Sequence, residues 1–259
     1  MRKDYIETET QDDTETDFVE SFWTKVWDQS NQSAYNVDRV KKQEEYKAMQ
    51  PWLKQLPKGA KLVDGGCGLG DWVLKFSDEG YDTIGVDLSK KTIGFLNERF
   101  PNHQFLASDI RDLPFRSEEF HVYYSWGVFE HFESGPSECL REAYRVLKPG
   151  GLMFITVPHD NLRQCIRGTF KRPLTNKINQ RFYQYRFSKS EIAVEVLNAG
   201  FEIQKISPIH KRQGILRCLH HEFNFPISWL LTRGLAFVLA PILPNFLFAH
   251  MLLLVCKKY

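Results

Sequence analysis

Nothing in this 259-residue chain supplies a covalent staple or a metal cage. Its five cysteines, Cys67, Cys139, Cys165, Cys218 and Cys256, are odd in number and scattered, and no C-x-x-C pair occurs. That excludes a disulfide framework and a zinc site as organising features, and a reducing, cytoplasmic setting is expected. Charge of one sign is scarce too. The 34 Lys and Arg stand against 32 Asp and Glu, a net charge of +2, so no global field draws the chain to nucleic acid. No uninterrupted apolar run reaches the ~20 residues of a bilayer span. The best candidate, Ile227 to Phe248, is broken by Arg233, Pro241, Pro244 and Asn245. Met1-Arg2-Lys3 leads into acids and hydroxyls, so no secretory leader is expected. No internal repeat is visible. With 42% hydrophobic and 25% charged residues, the composition is that of an ordinary globular domain with additions, able to bury a core unaided.

What the chain does have is a strand that breaks into glycines. Leu62-Val63-Asp64 reads as a buried strand ending in an acid, and Gly65-Gly66-Cys67-Gly68-Leu69-Gly70 as a tight turn. A helical pattern begins at Asp71. Glycines let the backbone approach a ligand where a Cβ would collide, and the helix N-terminus offers unpaired N–H groups. The spacing excludes a dinucleotide fingerprint, Gly-x-Gly-x-x-Gly. From Gly66 or Gly68 the third glycine position falls on Asp71 or Val73. An NAD-dependent oxidoreductase is disfavoured on that ground.

Asp64-x-Gly66-x-Gly68-x-Gly70 instead resembles motif I of the class I S-adenosylmethionine-dependent methyltransferases. Helix, Lys148-Pro149-Gly150-Gly151, then the apolar strand Leu152 to Val157 is a second signature similar to that family. The resemblance runs from about Lys61 to Pro158. It implies a doubly wound, seven-stranded Rossmann-like α/β sheet with an antiparallel seventh strand, and S-adenosylmethionine as cofactor. It also implies that Asp64 faces the cofactor's ammonium while Gly65, Gly66, Cys67, Gly68 and Gly70 admit the rest. The strand Asp82 to Asp87 ends in an acid placed to grip ribose hydroxyls, beside Leu88, and Ser89 can cap the next helix. After the strand Gln104 to Ala107, Asp109 would accept the adenine amino group, with Ile110 along the ring. The strand Phe120 to Ser125 delivers Ser125 and Trp126 to the same edge and runs on to Glu130-His131.

A sulfonium methyl is already activated, so transfer needs alignment more than acid or metal help; no metal is expected. An oxygen or carbon nucleophile still needs a base. His131, just past the fourth strand, is the first candidate and His159, past the fifth, the second. Tyr183 and Tyr185 are candidate orienters, and Tyr35 would lie near the sulfonium. The acceptor is expected to be a small or lipid-like molecule. A non-catalytic cofactor binder stays open. A nucleic-acid methyltransferase is permitted by basic residues between Arg163 and Arg186, but no Asn-Pro-Pro-Tyr-type segment follows the fourth strand.

Three parts are expected along the chain: a flexible acidic tail over 1–20, an N-terminal helical lid over 21–57, and the methyltransferase domain over 58–259. Ser188-Lys189-Ser190-Glu191 spells a capping box for a helix ending at Gly200, before a strand from Phe201. The seventh strand begins near His250. Between them lies an insert, 208–249, polar first and then strongly apolar. It is a roof over an apolar pocket, a peripheral membrane face, or a self-packed cap.

Overall fold

The computed structural model describes residues 1–7, 14–29, 37–164 and 180–259. In chain order the elements are β1 (Arg2–Glu7), α1 (Glu15–Gln29), α2 (Val37–Lys41), α3 (Glu44–Leu53), β2 (Lys61–Gly65), α4 (Asp71–Asp78), β3 (Asp82–Asp87), α5 (Lys90–Arg99), β4 (Gln104–Ala107) and β5 (Phe120–Trp126). A short 3-10 turn, Phe129–His131, leads to α6 (Ser137–Val146) and β6 (Leu147–Pro158). Then come β7 (Gln180–Arg186), α7 (Lys189–Asn198), β8 (Phe201–Ile209), α8 (Lys211–Phe223), α9 (Leu230–Leu239), α10 (Asn245–Phe248) and β9 (Met251–Lys258).

The main sheet has seven strands in the order β4-β3-β2-β5-β6-β9-β8, and β9 runs antiparallel to both its neighbours. Strands this apolar are suited to a sheet covered on both faces, and the alternation of side chains divides them between two layers. Leu62, Val122, Tyr124 and Phe154 pack with Met49, Leu53, Trp72 and Phe76 of α3 and α4. Val63, Tyr123, Met153 and Ile155 pack with Leu140, Ala143, Ile192 and Val196 of α6 and α7. Helix starts follow local chemistry: the Ser89 side chain accepts from Thr92 N, and Ser188 with Glu191 forms the expected capping box.

Three expectations need correction. Residues 2–7 are not a loose tail. They form β1, which pairs antiparallel with β7 in a separate ribbon. The charges that read as solvated each find a distant partner: Arg2 with Asp160 at 3.0 Å, Lys3 with Glu133 at 3.2 Å and Asp4 with Arg186 at 2.6 Å. The first helix also begins earlier than expected, at Glu15, where Thr14 Oγ1 accepts from Asp17 N. Finally, Lys148 to Gly151 do not separate helix from strand. They lie inside β6, which follows α6 directly and carries a register shift opposite Phe120 and Val122.

Candidate active site

The glycine turn closes onto protein as well as onto space. Gly66 and Gly68 have φ of 83° and 50°, left-handed values that strain any side chain. A Cβ on Gly66 would stand 2.4 Å from Val128 Cγ2, and one on Gly68 2.8 Å from Trp27 Cζ2. The absent side chains thus let two cavity walls, one of them from α1, settle against the turn. Gly68 N donates to Asp87 Oδ2 and Ser89 N to Asp87 Oδ1, both at 2.9 Å. The tip of β3 is thereby tied to the turn after β2.

A cavity of about 610 Å3 opens here, beside the point where the strand order reverses between β2 and β5. Asp64, Gly66, Cys67, Gly68, Asp87, Leu88, Ile110 and Trp126 line it, with Trp23 and Trp27 of α1, Arg39 of α2 and Asp71 of α4. Asp64 is 1% exposed, and neither carboxylate oxygen has a partner among the described residues. Burial, reinforced by Asp87, pushes its pKa well above the carboxylate range. The Nε1 atoms of Trp27 and Trp126 are buried without partners as well. A buried polar group without a partner is costly. Three such groups around one cavity fit a ligand that carries a cation and hydrogen-bonding atoms.

A second cavity, about 850 Å3, shares Trp23, Trp126, Gly127 and His131 with the first. Its other walls include Asp4 of β1, Tyr183, Gln184 and Arg186 of β7, Arg217 of α8, and His250. His131 stands on the common wall. Its Nδ1 lies 2.7 Å from Tyr183 O, and a carbonyl only accepts, so Nδ1 carries the proton and Nε2 a lone pair. Burial lowers the His131 pKa to about 4. Glu130 is 2% exposed with a partnerless Oε2, and burial raises its pKa to about 8. Arg217 has no hydrogen-bond or ion-pair partner among the described residues; burial first and the neighbouring Arg186 second lower its pKa. His250 is held neutral, with a pKa lowered to about 3 by burial and by Arg217.

Several sequence-predicted residues stand elsewhere. Gly65 and Gly70 do not line the first cavity: Gly65 backs onto Tyr123 and Gly70 onto Phe105. Ser125 is a tie between strands, its Oγ donating to Gly65 O at 2.6 Å. Asp109 does not line the cavity either, because its carboxylate is gripped by Arg111, whose Nη2 lies 2.7 Å from Oδ2. Arg111 also reaches Glu15 and Thr16 of α1. His159 lies in neither shared cavity but in a third, with Leu162, Lys189 and Pro208. Tyr185 is a core residue, 6% exposed, whose hydroxyl donates to Glu133 O at 2.8 Å. Tyr35 and most of the basic stretch after Arg163 lie outside the described residues. Sequence reasoning passed over Glu130, Arg186 and Arg217. Glu130 was visible beside His131 at a strand end, but nothing local marked the two arginines as neighbours.

The family model for the methyltransferase domain matches residues 63–155. A probable S-adenosylmethionine-dependent methyltransferase of Mycolicibacterium smegmatis is 25% identical over 146 residues, which cover 56% of this chain and 53% of that protein. The chain thus spans about half the length of that relative. The ubiquinone/menaquinone biosynthesis C-methyltransferase of Campylobacter jejuni is 26% identical over 219 residues, covering 69% and 90%. Among solved structures, the 1,6-didemethyltoxoflavin-N1-methyltransferase of Burkholderia thailandensis superposes with a TM-score of 0.57 at 17% identity, covering 98% and 94%. Sheet order and glycine turn give a Rossmann-like α/β domain, the fold of the solved methyltransferase structures. Residues 63–155 are thus similar to a methyltransferase domain, the relatives include S-adenosylmethionine-dependent methyltransferases, and the orphaned polar groups of the first cavity fit adenosylmethionine.

Proposed function

We propose that the protein transfers the methyl group of adenosylmethionine to a small-molecule or lipid-like acceptor that carries an anionic group, at oxygen or carbon, with the acceptor held in the second cavity. Adenosylmethionine, when bound, supplies a methyl group already activated on a sulfonium. The residues of this chain do the rest. Asp64 meets the ammonium, Asp87 the ribose hydroxyls, and Leu88, Ile110 and the two indoles enclose the base and exclude water. Helix α1 acts as a lid, its Trp27 closing the first cavity and its Trp23 both. His131, on the wall between them, orients the nucleophile through its Nε2 lone pair.

Magnitudes decide which group takes a proton. Moving one from a phenol-like oxygen near pKa 10 to a histidine near 4 is uphill by about 8 kcal/mol. A carboxylate near 8 halves the gap or better, so Glu130 is the base and His131 the positioner.

The anionic acceptor is carried by Arg217. Two guanidiniums face one cavity, Asp4 neutralises only Arg186, and Arg217 stays unmatched. The quinone-directed name of one relative fits an acceptor bearing an acidic oxygen and an apolar body. Nucleic acid is not favoured by the balance of charge, a net +2 over 259 residues. Radiolabelled methyl transfer over a panel of phenols, carboxylates and phosphate-bearing amphiphiles tests the reading. The expected hit is an anionic compound whose KM rises about 10- to 100-fold in Arg217→Ala at nearly constant kcat, as for loss of a charged hydrogen bond. Hits confined to neutral compounds, or a KM that does not move, would overturn the anion assignment. Absence of binding heat with adenosylmethionine and adenosylhomocysteine would overturn the whole.

A further inference from the structure

The insert between β8 and β9 is built inside out. In α9 the side chains turned to the protein are small: Thr232 is 2% exposed and Ala236 0%. Ala236 packs with Ile215 and Leu219 of α8. The large apolar side chains turn away. Leu230 is 84% exposed, Leu231 82%, Phe237 67% and Val238 59%. Ile242 at 72% and Phe246 at 58% continue the surface across α10. A helix of a water-soluble face has the opposite arrangement, and a contiguous exposed patch of this kind marks an interaction surface.

Charge says what covers it. No acid occurs from Phe223 to Ala249, and Glu222, just before, is paired with Arg163. The cations Arg212 and Arg233 have no ion-pair partner among the described residues, and Arg212 lies over the Phe237 ring at 5.6 Å. Beside α10 a groove of about 650 Å3 is lined by Lys189, Lys211, Ile242, Leu243 and Phe246, among others, with no carboxylate among its lining residues. Lysines beside an apolar slot match the joint between an anionic headgroup and its acyl chain. No helix of the described residues is long and apolar enough to cross a membrane, which leaves lying on it. The sequence left three readings of the insert open. The insert does pack on itself through Ile215, Leu219 and Ala236, but self-packing leaves these large side chains outside, and their outward direction is opposite to that of a roof.

We propose that α8, α9 and α10 form a monotopic face that docks on a bilayer containing anionic lipid, with the Lys189–Lys211 groove taking a headgroup. The inference is independent of the acceptor. The test is co-sedimentation of the full chain with phosphatidylcholine vesicles, with and without phosphatidylglycerol. The wild type is expected to pellet at least about tenfold more with the anionic vesicles. The triple variant Leu230→Ser, Leu231→Ser, Phe237→Ser is expected to lose that binding while keeping its affinity for adenosylhomocysteine, which reports the fold. The charge reversals Lys189→Glu and Arg233→Glu together are expected to remove the preference for phosphatidylglycerol. The proposal is overturned if the wild type pellets with neither vesicle or with both equally. It is equally overturned if the wild type is a dimer in solution that the triple variant dissolves, since a second copy then covers the face.

Discussion

Asp64→Asn is expected to make the ligand-free protein more stable and the cofactor about 100-fold weaker in binding. Both signs come from one buried carboxyl. In the folded chain Asp64 has no partner for either oxygen, and burial raises its pKa well above the ordinary value of 3.8. The unfolded chain releases that proton above about pH 4, whereas the folded chain holds it. Stability therefore falls as pH rises above the unfolded pKa, and goes on falling until the folded group ionises. An amide has no proton to release and escapes this loss. Thermal unfolding of Asp64→Asn is expected about 2–4 °C higher at neutral pH, roughly what 1 kcal/mol does in a chain of this size. The gap should widen between pH 5 and 8. Cofactor reverses the order, because an ammonium supplies the counter-charge and lets Asp64 ionise. A 100-fold loss is about 2.8 kcal/mol, reasonable for a buried charge pair. Calorimetry in buffers of different ionisation enthalpy should show proton release on binding in the wild type and none in the variant. A variant that binds adenosylhomocysteine as tightly as the wild type would remove Asp64 from the site.

Glu130→Gln is expected to lower kcat by about 10²- to 10³-fold, the range for a lost general base. In the wild type, burial holds the carboxyl at about 8, so kcat should climb as pH rises through that value and the carboxylate forms. Glu130→Gln should be low and flat across the same window. His131→Ala is expected to cut turnover about tenfold and leave cofactor affinity nearly unchanged. The histidine has lost its charge well before neutrality, being lowered to about 4, so no limb near 6.5 should be seen in either enzyme. A limb near 6.5 that vanishes in His131→Ala would return the proton to the histidine. For stability His131 works in the acid range: the unfolded ring gains a proton below about 6.5 and the buried one does not, so folding weakens as pH drops from there towards 4.

The sheet was legible because each strand end carries its own punctuation. Asp64 with its glycines and Asp87 with Ser89 are local signals, and local chemistry made them what they became, whereas Lys148 to Gly151 read as a break and are strand. The capping box at Ser188 was equally plain and is present in full. The first cavity shared that legibility, since Asp64, Asp87 and Trp126 stand at or next to the end of a strand. The exceptions follow from competition. Asp109 sits where the motif puts it, yet Arg111, two residues on, occupies its carboxylate. Tyr185 and Tyr183 alternate on β7, so one enters the core and the other the cavity.

The second cavity was not legible, and the reason is distance along the chain. Asp4 meets Arg186 and His210 meets Glu45 across separations of 182 and 165 residues. Such pairs leave no period and no motif. The sequence by itself determined the sheet, the glycine turn and the acids at its edge, because those depend on hydrogen bonds and backbone angles within a few residues. Only the tertiary structure decided that the charged N-terminus is a strand, that Arg217 shares a cavity with His131 and is left unmatched there, and that the large apolar residues of the insert face outward. Each of these depends on which side chains are brought together or turned away by packing of the whole chain, and a local pattern does not encode that.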